Sequence, residues 1–302
     1  MTQASTDAPV LVEFQRGGND RIETRHRGWI AVVDSSGRLL WHVGDANQAF
    51  ALRSTAKPFQ LLPLLLDGLH TGGDHGASLK PADLAIMMSS HNGELMHTER
   101  VAAMLTRFQL PQSALKCGVE APALRADRER LVRANEPASV LHCNCSGKHT
   151  NMLAVCSHQG WPLESYLDAS HPLQIRIRDI LTTLAGQPDT PLPQSIDGCS
   201  LPTYWLSLAA LGLLFAYIAE PDAAPPVEGR GIETELTTLR AAGVQHPELI
   251  AGSGRLDTLL MQCLGGRIFA KTGAAGLYAL ALPAGPRVPS ALGIAIKVED
   301  GD

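Results

Sequence analysis

Both ends of this chain read as β-strand and the long middle reads as helix, an order that few layer architectures accommodate. Near the start, "VLVEFQR" and "GWIAVVDSSGRLLWHV" are rich in β-branched and aromatic residues, and Asp34-Ser35-Ser36-Gly37 between the last two apolar runs reads as a hairpin turn. Near the end, "RIFAKTG", "GLYALALP" and "ALGIAIKV" repeat that character between Gly and Pro punctuation. From Thr55 to about Leu264 the pattern is helical in "QLLPLLLDGL", "GELMHTERVAAMLTRF", "PLQIRIRDILTTLAG", the apolar run Trp205 to Ala219 and "LDTLLMQCLGG". The expectation is an α/β (α+β) chain, 1–302, forming one catalytic domain. In it the strand-rich segments 10–50 and 265–300 share one antiparallel sheet and 54–264 is helical. No internal repeat is present, and "EPDAAPPVEGRG" (Glu220 to Gly231) reads as a surface loop.

Several functions are set aside by charge and hydropathy. With 25 basic and 30 acidic residues, a formal charge of −5 and no basic run, the chain lacks the footprint of a nucleic-acid binder. The Trp205 run is interrupted by Ser207 and is short for a membrane span. "MTQASTDAPV" lacks the basic and apolar regions of a secretory signal, so a cytoplasmic location is expected, with the six cysteines reduced.

Three short motifs carry chemistry. "RSTAKPF" suits a helix start, because Ser and Thr cap helices and Pro58 falls where a missing N–H is tolerated. Residues i and i+3 also share a helix face, so Lys57 can reach the Ser54 hydroxyl and, if neutral, take its proton. A free lysine has a pKa of about 10.4, and burial or a second cation lowers it; Lys271 is the candidate for that second charge. "SSHNGE" presents Ser90 after the apolar strip "LAIMM", and "AKTGAAG" ends a strand with Lys271-Thr272-Gly273, where Gly273 permits close approach of a substrate. A cap and a hairpin turn are the ordinary readings of these two. Taken in order, S-x-x-K, S-x-N and K-T-G match the three-part signature of serine β-lactamases and penicillin-binding proteins.

Further blocks narrow the likeness. Arg53-Ser54-Thr55-Ala56-Lys57, Ser90-His91-Asn92-Gly93-Glu94, Asn144-Cys145-Ser146-Gly147-Lys148-His149, Asp197-Gly198-Cys199 and Gly252-Ser253-Gly254-Arg255, with "RIETRHRG", resemble the rhizobial-type (class 3) L-asparaginases, the asparaginase II family. The resemblance runs from about Val10 to the last residue. It implies a serine β-lactamase-like fold, hydrolysis of L-asparagine to L-aspartate and ammonia, and a homodimer. By matching motif, Ser54 is the nucleophile, Lys57 its base, and Ser90 with Lys271 a second Ser-Lys pair. Arg53, His91, Asn92, Asp197, Thr272 and Gly273 belong to the substrate pocket. Zinc is implied at Cys145, Lys148 and Cys199, where two thiolates and an amine leave a fourth position open; His149 orients a neighbour. Two residues depart from the pattern: Cys143 stands in place of asparagine, and Ala275 in place of an acidic residue. A glutaminase, another β-lactamase-like amidohydrolase and a non-catalytic binding protein are the alternatives on the same fold.

Overall fold

The computed structural model describes residues 8–15, 21–72, 78–187 and 190–301; residues 1–7, part of the stretch read above for an export signal, lie outside them. The strands are β1 (Val10–Gln15), β2 (Ile22–Asp34), β3 (Leu39–Val43), β4 (Ala49–Ala51), β5 (Gln194–Ile196), β6 (Pro202–Ser207), β7 (Phe269–Gly273), β8 (Leu277–Leu282) and β9 (Leu292–Val298). Between β4 and β5 run α1 (Lys57–Gln60), α2 (Leu62–Leu66), α3 (Pro81–Met87), α4 (Leu95–Arg107), α5 (Arg125–Ala134), α6 (Ser146–Gln159) and α7 (Pro172–Leu184). After β6 come α8 (Leu208–Ala219), α9 (Glu233–Gln245), α10 (Pro247–Ile250) and α11 (Leu256–Cys263).

The two ends of the chain do share one antiparallel sheet, in the order β1-β2-β9-β8-β7, with β3 also on β2. β2 is long enough to pair with β1 along its first half and with β3 along its second, while β9 lies on its other edge. The β2–β3 turn closes where the Asp34–Gly37 stretch put it, with Gly37 N–H donating to Asp34 O and Asp34 N–H to Arg38 O. Directly paired residues share a face, so Ala31, Ala295, Ala279 and Lys271 form one row across β2, β9, β8 and β7; Val33, Gly293, Ala281 and Phe269 form the next. These rows are buried. Their small side chains let α8 close on the sheet: a Cβ on Gly293 would sit 1.7 Å from the Gly212 carbonyl oxygen. Lys271 is thereby carried on the helix-covered face.

The helical middle needs two corrections. The Trp205 run is not helical from its start. Pro202–Ser207 is β6, paired with β4 and β5 in a second sheet, and Trp205 is part-exposed; α8 begins at Leu208, capped by Ser207 Oγ accepting from Ala210 N–H. An apolar run alone does not separate a buried strand from a buried helix. "QLLPLLLDGL" is likewise divided, because Pro58 and Pro63 each open a short helix, α1 and α2. The Glu220–Gly231 stretch holds a 3₁₀ turn at Pro221–Ala223 and a bridge between Val227 and Arg230, with Val227 buried. No helix among the described residues is long and apolar enough to cross a membrane.

Candidate active site

Ser54 sits where the small sheet meets the large one. Leu52 N–H donates to Tyr204 O and Arg53 N–H to Thr203 Oγ1, both on β6, and the chain then turns through the 3₁₀ segment Arg53–Ala56 into α1. Arg53 holds a left-handed φ of 49°, a conformation that costs a non-glycine residue about 1–2 kcal/mol. The β6 contacts and an ion pair at 2.8 Å from Arg53 Nε to Asp197 hold it there. Thr55, the next residue after Ser54, packs against Gly273 of β7, whose Cβ, were it present, would meet Thr55 Cγ2 at 3.0 Å.

Lysine is rarely fully buried without a partner, yet Lys57, Lys148 and Lys271 are all buried. Lys57 Nζ donates to Ser89 O at 2.6 Å, to Ser90 Oγ at 2.9 Å and to Asn144 O at 3.4 Å. Ser54 Oγ is not among its acceptors, so the i, i+3 spacing puts lysine and serine on one side of the turn while the amine is engaged by the second serine. Lys271 Nζ donates to the same Ser90 Oγ at 2.9 Å and to Thr272 O at 2.9 Å. Burial pushes Lys271 down to about 7; Asp257 opposes this and the charge on Lys57 reinforces it. Ser90 itself is strapped in place from both sides: Ser90 N–H donates to Ile250 O and His91 N–H to Asn144 O.

Ser54, Ser90, His91, Asn92, Thr272 and Ala274 line a cavity of about 230 Å³. Lys57 and Lys271 lie beneath its wall on Ser90 Oγ, and Arg53, Asp197 and Gly273, expected in the pocket, are not among its lining residues. His91 is held well below its ordinary pKa, first by burial and then by His97 stacked on it at 4.9 Å. Its Nδ1 accepts from Gly93 N–H, so Nε2 carries the proton and donates to Ser146 Oγ. Asn92 Nδ2 donates to Ser253 O at 3.1 Å, tying this loop to the segment between α10 and α11. Thr272 is clamped by buried Asp257, which accepts from its N–H at 2.5 Å and its Oγ1 at 2.6 Å. Sequence motifs did not single out Asp257, nor two charged residues on the cavity wall, Glu120 and Arg255. Arg255 ends a block noted for resemblance without a role, and Glu120 belongs to no motif. One Glu120 oxygen, Oε2, accepts from Asn144 N–H and Nδ2–H.

Beyond Asn144 the N-terminus of α6 approaches α3 so closely that a Cβ on Gly147 would lie 1.9 Å from Ile86 O, which accounts for glycine in the N-C-S-G-K-H block. This approach buries Cys145 and Lys148 beside Cys199, with Lys148 Nζ 3.1 Å from Cys199 Sγ. Cys145 is held well below the usual thiol range by hydrogen bonds with Cys143 and Cys199, with the charge of Lys148 adding to them. Burial pulls Lys148 down, but Cys145 and Cys199 more than offset it and keep the amine charged. Among the described residues no three His, Cys, Asp or Glu side chains are placed to hold a metal ion, so any such centre here depends on the lysine. The departing Cys143 is a buried thiol donating to Cys117 O, its ionisation pushed far up. His149 Nδ1 meets Tyr166 Oη at 2.6 Å.

Among solved structures, Mglu shares 16% identity at a TM-score of 0.48; 91% of the chain spans 62% of that protein, less than two thirds of its length. A Bacillus subtilis glutaminase, YbgJ, in covalent complex with 5-oxo-L-norleucine shares 13% (TM-score 0.39; 89% and 79% covered). A β-lactamase from Mycobacterium bovis, Mb2281c, shares 14% (TM-score 0.44; 91% and 88% covered). None of the curated proteins matches the chain. Assignment therefore rests on sequence: the profile of L-asparaginase II matches residues 12–302, nearly the whole length, and the chain belongs to the L-asparaginase II family.

Proposed function

We propose that this chain, an amidohydrolase by family, hydrolyses the side-chain amide of L-asparagine to L-aspartate and ammonia through an acyl-enzyme on Ser54. The observation that carries the reading is the buried relay Lys57–Ser90–Lys271 under a cavity with Ser54 on its wall. At about 230 Å³ the cavity is smaller than drug-sized sites of roughly 300–1,000 Å³ and suits a small amino acid.

Neutral Lys271 takes a proton from Lys57 through the Ser90 hydroxyl that both amines meet, and the freed amine of Lys57 then takes the Ser54 proton as Ser54 Oγ attacks the amide carbon. The N–H groups of Ser54 and Ala274 receive the developing oxyanion. A hydroxyl offers two lone pairs and one proton. The two lysine amines take the lone pairs of Ser90, so its proton is the one free to turn into the cavity. There it goes to the leaving nitrogen, and the lysines resupply it. Water then cleaves the Ser54 ester and aspartate leaves. Arg255 binds the α-carboxylate, and Glu120, one of whose oxygens is engaged by Asn144, binds the α-ammonium.

The donor set of Cys145, Lys148 and Cys199 fits zinc: two buried thiols and an amine converge, and thiolates are preferred zinc ligands. Lys148 must give up its proton to ligate. Bound there, zinc would offer its open fourth position to a group of the substrate.

A second reading makes Ser90 the nucleophile, because both amines point at its oxygen in the free protein. Ammonia release from asparagine, with glutamine in parallel, separates the two. Ser54→Ala and Lys57→Met should each abolish turnover, and the double variant should be hardly worse, since nucleophile and base act as one unit. A Ser54 that only capped a helix would cost about 0.5–2 kcal/mol of stability and leave turnover per folded molecule unchanged. Activity persisting in folded Ser54→Ala but lost in Ser90→Ala would move the nucleophile to Ser90. Preference for glutamine would move the substrate, a distinction of one methylene worth about 1–3 kcal/mol in a pocket.

A further inference from the structure

A second cavity, of about 470 Å³, lies away from the active site between α9, the segment leading into β7 and the turn after β8. Arg240, Arg267 and Arg287 line it together with apolar residues such as Leu282, Pro283 and Val288, and among the described residues no Asp or Glu does. In a chain of net charge −5 that concentration of unopposed cations is unusual. Arg240 is the informative residue. It projects from α9, where the neighbours on its face three and four positions away are Leu236, Thr237, Gly243 and Val244, none of them acidic. Its Nε is buried and, among the described residues, has no hydrogen-bond partner, and burial pushes the group below its ordinary pKa. Leaving a buried charged donor unpaired is costly, and such a group in a native protein calls for an explanation. Arg267, which is exposed, donates its Nε to Leu264 O, and its terminal nitrogens have no acceptor among the described residues, which leaves them for another. The facing wall is not loose chain: Gly285 and Val288 exchange backbone hydrogen bonds at 2.8 and 3.0 Å, setting Arg287 on a closed turn.

We infer that this cavity is a binding site for a small polyvalent anion, carboxylate or phosphoryl, received by the guanidinium groups of Arg240, Arg267 and Arg287. Planar guanidinium forks suit both oxyanions, which present paired oxygens at matching spacing.

Isothermal titration of the full-length protein in chloride buffer, with citrate and with pyrophosphate as separate probes, tests the site. Saturable binding of one anion per chain is expected, persisting in Ser54→Ala and in Arg255→Gln. Arg240→Gln should weaken it about tenfold or more, the loss of one charge-assisted contact. Arg287→Gln, on the exposed turn, serves as the second variant should Arg240→Gln fold poorly. Binding of citrate alone assigns a carboxylate ligand, pyrophosphate alone a phosphoryl one, and loss of binding in either cavity variant supports the site. No saturable binding of either probe, binding unchanged in both cavity variants, or binding lost in Arg255→Gln instead would overturn it.

Discussion

Ser90 receives two amines where the sequence pointed to one, and the charge state of Lys271 follows from that crowding. Burial deprives its ammonium of water and Lys57 stands across the same hydroxyl, so its pKa falls to about 7 despite Asp257. Unfolded, the same lysine keeps its proton up to about 10.4. Between those two values the unfolded state binds the extra proton. This residue's contribution to stability therefore rises from about pH 7 to about pH 10.4, and its cost is complete below about pH 7. Urea unfolding at about pH 7 and about pH 9.5 should show the protein gaining on Lys271→Met as pH rises, by on the order of a few kcal/mol; a constant difference would mean that Lys271 titrates normally. Turnover should also rise through about pH 7, because Lys271 must be neutral to take the proton that Lys57 gives up through Ser90. At the mouth of the pocket, Arg255→Gln should raise KM for asparagine by about tenfold or more while kcat falls less, as expected for a contact made equally in ground and transition states. An equal fall in kcat with unchanged KM would remove Arg255 from substrate binding. Neither Arg255 nor Glu120 was legible in a functional role, because a lone charge gains meaning only from what faces it. The serines and lysines were legible because their spacing on a turn and at a strand end is itself local geometry.

Among the elements, the β7–β8 connection gives one departure from the family pattern an energetic cost. Gly273 pairs with Leu277, and between them Ala275 holds φ of 59°. This is the left-handed conformation, favoured by Gly, Asn and Asp, so alanine is strained just where an acidic residue was expected. Relief of about 1–2 kcal/mol, less about 0.4–1 kcal/mol for a freer unfolded chain, predicts that Ala275→Gly stabilises the protein by roughly 0.5–1 kcal/mol. A lower melting temperature for that variant would contradict the left-handed assignment. Strand and helix identities were legible where period and punctuation agreed, as in the Asp34–Gly37 hairpin, α4, α7 and α11. They failed at Trp205, where the deciding contacts are ladders to β4 and β5 contributed by distant segments.

Across the whole molecule, the zinc reading depends on segments far apart in the chain, since Cys199 reaches Cys145 and Lys148 only after α7 and β5 have crossed between them. Protein purified without chelator should carry about one zinc per chain; Cys199→Ser should lose the metal while keeping its circular dichroism. No zinc after supplementation would rule the centre out. The same long-range dependence is strongest in the large sheet. β9 follows every other strand in chain order, yet it lies between β2 and β8. Until residues 292–298 arrive, β2 and β8 have no common neighbour and the row that carries Lys271 has a gap in it. A ribosome-bound chain halted before Leu292 thus has its helices but no continuous sheet, and exposes two unpaired strand edges. Topology this non-local delays closure of the fold and leaves those edges to chaperones or to aggregation. The row of side chains that carries Lys271 is continuous only when β9 slots in.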